Sequence, residues 1–133
     1  MRTYLVAYAA TLAVFLLGDF VWLGTVALSF YRSRLGALLL DKPNLATAAG
    51  FYVLFAIGIV IFAVTPALRA SSWTQAAIYG ALFGFFSYAT YDLTNLATIR
   101  GWSAEVSIAD LIWGTAITAI SATVGYFVAA RFG

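Results

Sequence analysis

Four long apolar runs follow one another along the chain, separated by short polar connections. A helix that crosses bilayer hydrocarbon needs about 20 mostly apolar residues, and the runs near residues 4–30, 45–65, 73–99 and 104–130 each supply them. The pattern predicts an all-α membrane protein, a single integral domain over residues 1–133. Its architecture is a four-transmembrane-helix bundle with a short interfacial segment between helices 1 and 2. At ~1.5 Å per residue the first helix is about 40 Å long, more than the ~30 Å of hydrocarbon, so it tilts or projects. Its N-terminal run superficially resembles a secretory signal, but it is too long and lacks a small-residue cleavage site, which marks it as a retained helix.

The connections carry their own signals. The segment from Tyr31 to Pro43 is too short and too charged to span. It reads as an interfacial amphipathic piece, with Arg32 and Arg34 toward headgroups and Leu35, Leu38 and Leu39 in the acyl region; the alternative is a plain loop with snorkelling arginines. Asn44 is placed to cap the second helix, and Pro66, without an N–H, to end it. That helix offers no charged group and reads as scaffold, with Ala46, Ala49 and Gly50 permitting close packing. In the third helix Ala76, Gly80 and Gly84 form a stripe of small residues, where a homo-oligomer or membrane-protein partner could pack. Gly101 is suited to a left-handed helix cap. Ser103 is the expected N-cap of the fourth helix, with Glu105 in its first turn.

Composition confirms the solvent and narrows the chemistry. The 133 residues are 64% hydrophobic and 9% charged, with a mean hydropathy of +0.97, too apolar for a soluble domain. The net charge of +2 comes from seven basic residues scattered over loops and ends, so no basic face invites nucleic acid. Cys and His are absent, which removes thiolate chemistry, disulfides and typical zinc sites. Carboxylates, hydroxyls, amides, indoles and Arg remain.

Three aspartates lie inside the apolar runs. With ~1.5 Å per residue, Asp19 falls about 3 Å from the midplane of its helix, and Asp92 and Asp110 roughly 10 Å from theirs, all displaced toward the side of the first and third loops. Carboxylates at such depth must face inward and share partners. The predicted polar network is Asp19, Trp22, Tyr88, Tyr91, Asp92, Thr94, Asn95, Asp110 and Trp113. Arg32, Arg34, Lys42 and Arg100 would form a basic rim above it. Asp19 and Trp22 echo Asp110 and Trp113: each pair is three positions apart and shares a helix face. The alternative to a functional pocket is interhelical glue, each bond worth ~0.6 to 2 kcal/mol. No cofactor is predicted. Mg²⁺ or Mn²⁺ is the ion class that two or three carboxylates would accept, but no dense ligand motif occurs on one helix; Asp92 and Asn95 stand at i, i+3.

The run from Tyr88 through Tyr91, Asp92, Thr94 and Asn95 to Thr98 carries a likeness, with Gly101-Trp102, the two Asp-x-x-Trp pairs and Phe51-Tyr52. It resembles the bacterial four-helix membrane family catalogued as domain of unknown function 2177, over essentially the whole chain. The resemblance implies a compact multi-pass protein of the bacterial inner membrane, and similar proteins tend to be encoded near lipid-modifying enzymes. It implies a setting rather than a reaction, and leaves enzymatic activity open. Three functions compete. The first is an acidic, Trp-lined pocket that binds a lipid or lipophilic molecule or assists a lipid-modifying system, its basic rim suited to an anionic headgroup. The second is a proton- or cation-coupled small transporter working as an oligomer. The third is an accessory subunit of a larger membrane complex.

Overall fold

A computed structural model describes all 133 residues. Four helices account for nearly the whole chain, with no strand: α1 (Arg2–Leu38), α2 (Leu45–Ala70), α3 (Trp73–Thr98) and α4 (Ala104–Phe132). The fold is the expected helical membrane bundle. α1, α2 and α4 are long and apolar enough to cross a membrane; α3 has the length, but its second half is more polar.

Local chemistry explains where most helices start. The side chain of Asn44 accepts from the Thr47 N–H at 3.1 Å, Ser72 from Gln75 at 3.3 Å, and Ser103 from Val106 at 3.2 Å. Each satisfies one of the donors a helix N-terminus leaves free. Gly101 adopts φ +84° in the turn between α3 and α4, as a left-handed cap requires.

Two boundaries differ from the sequence expectation, for related reasons. The residues after Phe30 are helical but not a separate piece: α1 continues to Leu38 and turns at Gly36, where φ is +52°. A π-bulge at Leu23–Ala27 lets it continue with a changed face. Pro66 does not end α2, which runs to Ala70. A second π-bulge at Val60–Val64 immediately precedes it, loosening the hydrogen-bond ladder where the ring would otherwise meet the Phe62 carbonyl.

Small residues set the packing. A Cβ at Gly80 would lie 2.8 Å from the Ala122 Cβ, and one at Gly84 2.5 Å from the Gly114 carbonyl oxygen. The stripe expected to receive a partner is therefore taken by α4 of the same chain. α1 packs antiparallel on α4, with Thr11 over Gly125 and Gly18 against Ile117. Phe15, Phe55, Ile59, Val64 and Ile117 fill the centre, while Leu17, Phe20, Leu54, Phe86 and Ile112 are exposed. Such an apolar exterior fits lipid as solvent, where close van der Waals packing rather than water exclusion holds helices together. The chain ends meet, Thr3 Oγ1 donating to the Gly133 carbonyl at 3.2 Å.

Candidate functional site

The polar residues gather where α1, α2 and α4 cross and where α3 joins α4. On α1, Asp19 accepts from two neighbours: the Trp113 indole of α4 at 3.1 Å and the Tyr52 hydroxyl of α2. The two Asp-x-x-Trp pairs face each other across the antiparallel α1–α4 contact. Their indoles stack, with ring centroids 4.7 Å apart and planes 6° from parallel. On the other side of the stack the Trp22 indole donates to the Tyr31 hydroxyl at 3.2 Å, which donates to Asp110 at 3.0 Å. Each tryptophan thus serves, directly or through Tyr31, the aspartate of the opposite helix.

Asp92 sits one layer away in the α3–α4 hairpin. It is fully buried, and its carboxyl oxygens have no partner other than the carboxyl group of Asp110. The hairpin register puts it level with Asp110, and the two carboxyl groups adjoin. The same register brings the Ser107 hydroxyl to the Asp92 carbonyl at 3.4 Å, with the Trp102 indole donating to Ser107 at 3.1 Å.

Asp110 also lines a cleft of about 290 Å³, together with Phe51, Ser87, Tyr88 and Tyr91. Phe51 and Tyr91 among its lining residues are exposed, so the cleft is open to the surroundings. Tyr88 lies over Gly114, where a Cβ would come 2.2 Å from the ring. The tyrosine therefore needs a glycine beneath it.

Other expected members lie elsewhere. Thr94 is exposed and its hydroxyl donates to backbone carbonyls of its own helix, Thr90 and Tyr91. Asn95 is half-buried beside Tyr91. Of the basic rim, Arg34 forms an ion pair with Glu105 at 2.8 Å, and Arg32 donates to the Asp41 carbonyl at 3.4 Å. Lys42 and Arg100 are exposed on the loops. The three aspartates do not converge on one point, and no group of three acids is spaced to hold a metal. An Mg²⁺ or Mn²⁺ ion would find only Asp92 and Asp110 together.

The family model described as "Predicted membrane protein (DUF2177)" matches residues 4–127. The chain belongs to that family. No curated protein and no solved structure matches it. For this DUF2177 protein the match spans every residue of the network, including two that sequence reasoning passed over, Tyr31 and Tyr52. Tyr31 lies in the charged segment after the first apolar run, and Tyr52 in the second apolar run, which has no charged residue. Its place in Phe51-Tyr52 was the one signal pointing to it.

Proposed function

We propose that this protein binds a lipophilic molecule taken sideways from the bilayer into the cleft between α2, α3 and α4, in a lipid-related binding or accessory role in the bacterial inner membrane. The cleft carries the reading: aromatic side chains around a single carboxyl group, on a surface that is otherwise apolar. Ligand sites are typically concave and mostly apolar, with a few converging polar groups.

A four-pass topology goes with this reading. An odd number of crossings would part the chain ends, whereas Thr3 and Gly133 are hydrogen-bonded. That favours α3 as a fourth span. The Thr90, Thr94 and Thr98 hydroxyls each donate to a carbonyl within α3, which lowers their cost in lipid. Proton-coupled transport draws less support. Indole N–H groups donate but cannot accept, so the Trp113–Asp19 and Trp22–Tyr31 links do not pass a proton. An accessory subunit would need a docking face other than the small-residue stripe.

The test is native mass spectrometry of protein extracted gently from its own membrane, wild type beside Ser87→Trp, which fills the cleft. A lipophilic adduct on the wild type that is lost from the variant is expected. An identical adduct on both, or retained partner subunits with no adduct, overturns the reading.

A further inference from the structure

We infer that the cleft selects a lipophilic molecule bearing a primary ammonium group, seated against the Asp110 carboxyl group in the cleft wall, with the Asp92 carboxyl group next to it. The inference rests on the lipophile-binding reading and names its ligand class.

Asp92 is the starting point. Its carboxyl group is wholly buried, and no donor of the chain other than the Asp110 carboxyl reaches it, an arrangement that costs several kcal/mol at membrane depth unless something pairs with it. The adjoining group is another carboxyl, Asp110, and two acceptors cannot satisfy each other without a proton or a cation between them. The chain's own bases do not provide one. Arg34 is held by Glu105 and Arg32 by a backbone carbonyl, while Lys42 and Arg100 are exposed on the loops.

The approach to this acidic pair is the cleft, with Asp110 in its wall and Phe51, Tyr88 and Tyr91 beside it. Aromatic rings attract organic cations through their faces. An inorganic ion gains little from such walls. A quaternary ammonium would use them but leave the Asp92 oxygens unpaired. A primary ammonium brings three N–H donors, enough to engage both carboxyl groups at once. The acidic pair also reverses the expectation of an anionic headgroup, because the basic residues lie outside the cleft. A phosphatidylethanolamine headgroup and a free long-chain amine share this chemistry.

The experiment uses the full chain in neutral maltoside micelles, titrated with dodecylammonium, dodecyltrimethylammonium or dodecanol and read by native mass spectrometry. Dodecylammonium should bind one to one, roughly tenfold or more tighter than the other two. Asp110→Asn and, independently, Asp92→Asn should remove that preference. Near-ultraviolet circular dichroism of the Trp22–Trp113 stack verifies that each variant is folded. Displacement of dodecylammonium by added phosphatidylethanolamine supports the inference with a lipid headgroup as the source; no displacement supports it with a free amine. Equal binding of dodecanol and dodecylammonium, both lost in Ser87→Trp, overturns the ammonium inference and leaves the lipophile cleft standing. Binding of neither, or binding indifferent to Ser87→Trp, overturns both.

Discussion

Asp19 is half-buried and Asp92 fully buried, and their surroundings are opposite. Asp19 has two donors, Trp113 and Tyr52; Asp92 has only the neighbouring Asp110 carboxyl. The first is built as a structural tie among α1, α2 and α4. The second is what a ligand or ion would complete. Tyr52→Phe removes one donor from Asp19 and should lower stability by about 1 to 2 kcal/mol. Thr94→Val, at an exposed hydroxyl bonded only to its own helix, should stay within about 0.5 kcal/mol. Unfolding in mixed micelles with increasing dodecyl sulfate compares the two, and equal effects would remove Tyr52 from the tie. The aspartates and tryptophans were legible in the sequence because polar groups stand out in an apolar run. Tyr31 and Tyr52 were not. Tyr31 follows Trp22 by nine positions, which in an unbroken α-helix turns it about 180° away. The π-bulge at Leu23–Ala27 absorbs one residue and takes off roughly 100°, swinging the hydroxyl back toward the indole. Hydrophobic periodicity carries no mark of such a bulge.

At the scale of the helices, starts were easier to read than ends. Asn44 and Ser103 hold the caps their side chains suit, because capping is decided within four residues. Pro66 misled because its usual effect was absorbed by the preceding bulge, which depends on packing against other helices. The small-residue stripe of α3 was legible as a close-approach surface but not as to what approaches. Glycine positions now separate by neighbour. At Gly84 a Cβ would lie 2.5 Å from backbone oxygen and 2.7 Å from the Thr118 side chain, whereas at Gly50 nothing lies within 4 Å. Gly84→Ala should therefore destabilise the α3–α4 hairpin by about 1 to 3 kcal/mol. Gly50→Ala should be neutral or stabilise by up to about 1 kcal/mol through helix propensity. Thermal unfolding in micelles checks both. A harmless Gly84→Ala would mean that the hairpin can separate without loss, and that the stripe is free for another helix.

For the whole molecule the decisive question is whether α3 crosses the bilayer, since the position of the acids relative to both surfaces depends on it. By apolarity alone the chain has three spans, and three would place the termini on opposite sides. Against that stand the Thr3–Gly133 hydrogen bond and the packing of α3 along α4 through Gly80 and Gly84. With four crossings the α1–α2 and α3–α4 loops share one side, and the α2–α3 turn and both termini share the other. The basic residues divide four to three between those sides, so the positive-inside rule gives almost no preference; the pairing of loops is the prediction. The chain has no cysteine, so single cysteines at Lys42, Arg100, Ser71 and Gly133 can be labelled with a membrane-impermeant maleimide before and after permeabilisation. Lys42→Cys and Arg100→Cys should behave alike, and Ser71→Cys and Gly133→Cys should show the opposite pattern. If Ser71→Cys instead labels with Arg100→Cys, α3 does not cross. The α3–α4 hairpin would then have to open, Asp92 would leave its place beside Asp110, and the cleft between α2, α3 and α4 would no longer exist as a site.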